Sequence, residues 1–471
     1  MNNRSLLRTG IFFLGIVFSL LPDFLNLNNN LDYNAKIALR MVLIMIFFWL
    51  TEIIPISVTA LMPLVFSPFF SDIHINKITG HYASPVVFLL LGGFILALGF
   101  ERSNLHQRIA LWSILILGNT RERIMISLIC STAFFSMWFS NTATCLLMLP
   151  IVKNIIDANF QGPNETHFTK LLFLSVAYSS SIGGMATPIG TIPNAVMIGF
   201  LKENHNVQID FVDWFSFVFP LVMILIFSMW FFLKSRFKGA KEKLRRDLIV
   251  KKYIKLGSLT REEKIASAII FLTASLWIFK QYLNDLFEIN LSDSVIAIFG
   301  SLFFFLIPTK NNKTLLNLNW FKKIPWNVLI LFGGGLSMAS LIVSTGLAEE
   351  MSKMFDFLSN FNFLIIIFLI ALVTSFLTEF TSNTATTFLF LPLLSLFAVN
   401  NNFDLVQVLL PFVLAASCAF MMPIATPPNA IVYSSNKFSI SFMVSNGFFI
   451  NIISILIISF YIFLFNKFFV Y

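Results

Sequence analysis

Read for its apolar positions alone, the chain shows neither the period of an amphipathic surface helix nor the alternation of a half-buried strand. Apolar residues come instead in blocks of about 18 to 25, the length a helix needs to cross roughly 30 Å of hydrocarbon. Blocks at about 8–22, 36–50, 53–70, 84–100, 168–188 continuing to 200, 212–233, 265–282, 292–308, 326–343, 405–425 continuing to 435, and 443–466 predict about eleven crossings. Two further stretches, about 122–158 and 361–399, are too long for one span and carry a polar cluster at their middle. A hairpin that enters and leaves on one side accounts for each and adds no crossing. The predicted fold class is an all-α polytopic membrane protein, with about eleven transmembrane helices and two re-entrant hairpins.

Composition sharpens this picture. Of 471 residues, 57% are hydrophobic and 12% charged, about half the charged share of a soluble domain. A soluble enzyme, a disordered chain and a disulfide scaffold are excluded. Cys130, Cys145 and Cys418 lie in apolar stretches and read as small core residues. The net charge of +9 is concentrated: eleven basic and four acidic residues fall between Arg236 and Lys264. That excess predicts a basic cytoplasmic linker over 234–264 and implies no nucleic-acid partner. Lys310, Lys313, Lys322 and Lys323 fall on the same side, whereas Glu203, Asp210, Asp213, Asp285, Glu288 and Asp293 fall on the other. Arg4 and Arg8 precede the first block, and no small-residue cleavage site follows at Leu21-Pro22-Asp23. The first span is therefore expected to be retained, with the N-terminus cytoplasmic.

Self-similarity carries the argument further. Ser140-Asn141-Thr142-Ala143-Thr144 recurs letter for letter as Ser382-Asn383-Thr384-Ala385-Thr386. Gly92-Gly93 pairs with Gly333-Gly334, Pro150 with Pro392, and Pro193-Asn194-Ala195 with Pro428-Asn429-Ala430. Four matched features in one order point to duplication. Residues 1–35 fall outside the repeat, 36–233 form the first copy and 265–471 the second. Each copy holds an odd number of predicted crossings, so the second must sit upside down. That is the inverted-repeat plan of secondary transporters, whose binding sites lie where broken helices meet at the midplane.

The repeated residues suit such a site. Ser140, Asn141 and Thr142, like Ser382, Asn383 and Thr384, bring hydroxyls and a side-chain amide next to the freed backbone of a helix break. This set can hold a desolvated sodium ion through oxygen and donate hydrogen bonds to a carboxylate. Gly190-Thr191 and Ala425-Thr426 interrupt the facing helices, in the register that keeps the shared Pro-Asn-Ala aligned without a gap. No Lys, Arg or His lies in these clusters, so an anion would need bound cations as its counter-charge, and two ions would match two clusters. Glu379, beside Thr378, either supports a cation or accepts hydrogen bonds from backbone amides; Glu52 reads as structural at a span end. The five histidines fall in expected loops or interfacial segments.

These residues resemble the divalent anion/sodium symporter family of bacterial and animal dicarboxylate, citrate and sulfate carriers. The resemblance covers essentially the whole chain. It is most specific in the two Ser-Asn-Thr motifs and in the run from Ser417 to Val432, and extends to Trp49-Leu50-Thr51-Glu52-Ile53-Ile54-Pro55-Ile56. It implies sodium-coupled symport of C4-dicarboxylates by a homodimer in the bacterial inner membrane. Each protomer's transport domain would move like an elevator against a scaffold. It further implies a first sodium site on Ser136, Ser140, Asn141 and Gly190, and a second on Thr378, Thr381, Asn383 and Ala425. Substrate carboxylates would meet Asn141, Thr142, Asn383 and Thr384, with Thr191 and Thr426 alongside. Ile192 departs from the proline of many bacterial relatives and leaves the preferred anion open; citrate, sulfate or sodium-independent exchange are the alternatives. No enzyme activity and no cofactor are expected beyond the co-transported sodium.

Overall fold

The structure is a computed structural model that describes residues 3–25, 31–117, 120–159, 166–237, 246–309 and 313–465. Of the predicted basic residues, Lys238, Lys241, Lys243, Arg245 and Lys310 lie outside the described residues, as does the end of the second copy beyond Phe465. Among the described residues the architecture is helical, with a single isolated bridge between Pro308 and Thr314.

The principal helices are α1 (Asn3–Phe24), α2 (Tyr33–Thr51), α3 (Pro85–Ser103), α4 (Leu105–Leu117), α5 (Arg121–Ser136), α6 (Asn141–Asn159), α7 (Thr166–Gly184), α8 (Ile192–His205) and α9 (Phe211–Ser235). They continue with α10 (Arg261–Ile278), α11 (Asp293–Leu306), α12 (Trp326–Ser344), α13 (Phe363–Leu377), α14 (Asn383–Asn400), α15 (Leu405–Ala416), α16 (Pro427–Tyr433) and α17 (Ile440–Leu464). Six described helices are long and apolar enough to cross a membrane, and a seventh if Arg261–Ile278 and Lys280–Phe287, bent by 69°, count as one. The other expected crossings are shorter or broken helices. The block at 53–70 is Ile56–Thr59, Met62–Phe66 and a 3-10 turn at Ser67–Phe69. Pro55, Pro63 and Pro68 lack the amide that a continuous helix needs there. Residues 105–117, which fall between the predicted blocks, form α4, entered through a left-handed turn at Asn104 (φ 59°). Glu52 ends α2 in the same conformation and is exposed, which fits its structural reading.

Two groups of helices pack separately and then meet. In one, α3 packs on α10 and α11, and α12 packs on α2 and the short helices around residues 56–82. In the other, α7 packs on α5, α6 and α9, and α15 packs on α13, α14 and α17. The groups meet where α12 lies against α8 and α14. Within the second group one plan occurs twice: two helices joined by a short tip (137–140 or 378–382), a broken helix, then a long apolar helix. After its break, α16 packs on α6 and α7 of the first copy, and α8 packs on α14 and α15 of the second. This exchange brings both tips and both breaks to one place.

The linker folds back as well. Arg246–Lys255 packs on α4. The buried Arg108 of α4 donates to both carboxylate oxygens of Glu263, at 2.8 and 3.0 Å, and to the carbonyls of Leu256, Gly257 and Ser258. A guanidinium fork matched to five acceptors fixes the point where the linker enters α10.

Candidate ion and substrate site

At the first tip, α5 ends at Ser136 and α6 begins at Asn141. The Ser136 hydroxyl lies 2.8 Å from Asn141 Oδ1 and 2.5 Å from the Ser180 carbonyl in α7. One proton is shared among three oxygens, an excess of acceptors that suits a hard cation. The break in α7 closes over them. Asn141 Oδ1 and the Gly190 carbonyl both lie against the Cα of Gly184, and the carbonyls of Ser136 and Gly184 lie against Gly190. A side chain at either glycine would strike these oxygens. Gly183 lies equally close to the Ala133 backbone. The structure thus brings together Ser136, Asn141 and Gly190. Ser140 is exposed and its hydroxyl accepts from the Ala143 amide at 3.3 Å, an N-cap to α6.

The second tip repeats the positions with different chemistry. Ser382 caps α14 through the Ala385 amide at 3.5 Å. Thr378 is buried and donates to the Ser375 carbonyl at 3.1 Å, while the Thr381 hydroxyl lies 2.9 Å from the Leu377 carbonyl and 2.8 Å from Thr386 Oγ1. Asn383 Oδ1 is buried with no hydrogen-bond partner among the described residues. Ala425 is buried in the break, its amide on the Met422 carbonyl. No direct hydrogen bond joins Ala425 to Thr381 or Asn383; tip and break are joined through Glu379. The fully buried carboxylate of Glu379 accepts from the amides of Met421 and Met422 at 2.9 Å each and from Asn451 Nδ2 at 2.7 Å. Of the two roles open from sequence, amide capture is the observed one.

In both breaks an asparagine holds the unwound chain. Asn194 Nδ2 contacts the carbonyls of Gly184, Met185 and Thr187 at 2.8–3.2 Å, and Asn429 Nδ2 those of Ala419 and Met422 at 2.9 and 3.0 Å. Thr191 and Thr426 are the N-cap residues of α8 and α16, each one residue after Gly190 or Ala425, so the gap-free register is the structural one. Among the described residues, the hydroxyls of Thr142, Thr191 and Thr384 and the Nδ2 groups of Asn141 and Asn383 make no hydrogen bond within the protein. Cys145 of α6 reaches the Pro428 carbonyl of the second break, at 3.7 Å.

Sequence reasoning missed Ser180, Gly184 and Asn451, and gave Asn194 and Asn429 no task beyond marking the repeat. The shared Pro-Asn-Ala was the available signal: a buried asparagine one residue past a proline, just after a helix break, supplies two donors where carbonyls are freed. None of the histidines joins the site. His81 pairs with Glu203 at 2.6 Å, and burial pushes His106 down to about 4, which keeps it neutral.

This architecture is that of known membrane transporters. The fold matches the YdaH transporter of Alcanivorax borkumensis with a TM-score of 0.58 at 10% identity, covering 93% of this chain and 99% of that one. It matches MtrF of Neisseria gonorrhoeae, described among antimetabolite efflux pumps, with a TM-score of 0.57 at 11% identity, covering 92% and 95%. At such identity the likeness concerns the fold. The family is settled by sequence: residues 5–471 match the sodium:sulfate symporter transmembrane region, and the chain belongs to that family. It is 37% identical to the sodium-dependent dicarboxylate transporter SdcS of Staphylococcus saprophyticus, over 91% of this chain and 86% of that protein. It is 35% identical to the SdcS of Staphylococcus aureus strain USA300, over 91% and 85%. The protein is a multi-pass membrane transporter and not an enzyme.

Proposed function

We propose that the protein is a sodium-coupled symporter of C4-dicarboxylates such as succinate, fumarate and malate. The observation that carries this reading is the state of the two motif asparagines. Asn141 Oδ1 faces hydroxyl and carbonyl oxygens, Asn383 Oδ1 is buried without a partner, and both Nδ2 groups remain free to donate. Each amide can therefore complete a sodium shell with its oxygen and meet a substrate carboxylate with its nitrogen. The free hydroxyls of Thr142, Thr191 and Thr384 extend the donor set; the name of the SdcS relatives agrees with both cargoes. The first sodium would bind Ser136, Ser140, Asn141 and Gly190, and the second Thr378, Thr381, Asn383 and Ala425. Ser382 and Thr426 would complete the substrate's surroundings.

The halves 36–233 and 265–471 are read as inverted copies, with hairpins about 122–158 and 361–399, and 234–264 as a cytoplasmic linker. The hairpin group would move as the elevator and the α2, α3, α10, α11 and α12 group would be the scaffold of a homodimer. It would lie in the bacterial inner membrane with its N-terminus cytoplasmic. The test is uptake of labelled succinate into proteoliposomes with and without an inward sodium gradient, with citrate and sulfate as competitors. Sodium-driven uptake blocked by fumarate and malate is expected. Uptake indifferent to sodium would overturn the coupling, and stronger competition by citrate or sulfate would overturn the substrate class.

A further inference from the structure

Three helix ends meet on the face that carries the basic linker: the C-terminus of α3, the N-terminus of α10 and the C-terminus of α11. Between them opens a cavity of about 990 Å³, lined among others by Arg102, Gln107, Glu262, Lys313, Asn317 and Trp320. Its charges do not balance. Arg108 and Glu263 also line it but neutralise each other. Arg102 and Lys313 are exposed and, among the described residues, have no carboxylate within ion-pair distance. The Arg102 guanidinium stands 5.7 Å from the centroid of the Trp320 ring, and the Lys323 ammonium stands 3.7 Å from the same ring. Two of these cations therefore line the cavity and the third shares its indole, and among the described lining residues Glu262 is the one carboxylate not taken up by Arg108. An anion placed among them lowers the energy of all three.

The surroundings say which anion. Leu306, the last residue of α11, and Leu318, two residues before Trp320, are each 68% exposed. Leu306 stands three residues before Thr309 and Leu318 one after Asn317, both of which line the cavity, and exposed leucines together with unpaired cations and a tryptophan are the composition of a bilayer interface. A small soluble anion would use the cations and leave the leucines bare; a lipid uses both.

We propose that this cavity binds the phosphate headgroup of an anionic phospholipid, with phosphate between Arg102 and Lys313 and acyl chains over Leu306 and Leu318. The site is separate from the tips and breaks, and the proposal does not depend on the transported anion. It is tested on the purified full-length protein in detergent, by thermal unfolding against dioctanoyl phosphatidylglycerol, dioctanoyl phosphatidylcholine and inorganic phosphate. Phosphatidylglycerol should raise the unfolding midpoint at concentrations where the other two do not. The double variant Arg102→Gln/Lys313→Gln should weaken that binding by about thirty-fold, and Lys313→Gln alone, at an exposed position that folding tolerates, by about five-fold. Equal shifts from phosphatidylcholine would overturn the charge requirement. An equal shift from inorganic phosphate would overturn the lipid, and unchanged affinity in Lys313→Gln would overturn the site.

Discussion

The two copies of the tip-and-break unit reach the same geometry by different chemistry. In the first, the tip touches the break through neutral groups packed very closely: Thr187 donates to the Met137 carbonyl at 2.5 Å, and Gly183, Gly184 and Gly190 leave no room for a side chain. In the second, Cys418, Ala419 and Ala425 stand at the positions of those glycines, and Glu379 stands where the first copy has Met137. Ser375 donates to the Cys418 carbonyl at 2.7 Å, and the Glu379 carboxylate gathers the freed amides. Steric fit holds one copy and a charged bracket holds the other. Symmetry of position is thus compatible with asymmetry of energetics, and substitutions should expose the difference.

The largest effect belongs to what the copies share. Asn141→Ala and Asn383→Ala should each lower succinate uptake by about a hundred-fold or more, since each removes an ion-facing oxygen and an anion-facing donor. Both should remain monodisperse in detergent, and near-normal uptake in either would remove that residue from the site. Next comes the steric asymmetry. Gly190→Ala should lower uptake by about thirty-fold, the effect of an overpacking cost of about 2 kcal/mol, because its Cβ would fall 2.9 Å from the Ser136 carbonyl; the matched Ala425→Gly should cost about 1 kcal/mol or less of stability. Equal damage from both would mean that packing does not distinguish the copies. Third, Glu379→Gln replaces one acceptor oxygen by a donor that faces the amide of Met421 or of Met422, and should raise the sodium concentration for half-maximal uptake by about ten-fold. Met137→Leu at the equivalent position should leave it unchanged. The smallest effect is again common: Ser382→Ala should lose about 1 kcal/mol of stability as a lost N-cap. For Ser140→Ala, uptake falling further than thermal stability predicts would separate an ion ligand from a cap.

The repeat, the tips and the breaks were legible because they are written in local sequence: identical Ser-Asn-Thr runs, and proline and glycine where a helix must stop. Block 53–70 was read as one span because apolar content registers before its three prolines do. Helix α4 was missed because Arg108 and His106, both buried in the structure, look like loop residues until Glu263 is known to face Arg108. Contacts between distant positions, such as Asn451 with Glu379 or Cys145 with Pro428, leave no local trace. The role of Glu379 belonged to that class, since its partners lie 42, 43 and 72 residues away.

In the proposed elevator, Glu379 would give the membrane potential a handle on the cycle. The three hydrogen bonds of its carboxylate all come from N–H donors, an arrangement that favours the ionised form. In the proposed elevator this negative charge rides with the hairpin group, and during uptake it crosses alongside cations. On the empty return it would travel outward without those cations, the direction an inside-negative voltage favours, with up to about 2.3 kcal/mol available per 100 mV if the whole field is traversed. Sodium-free protein in a planar bilayer should therefore show a transient charge movement on voltage steps, and Glu379→Gln should lose it.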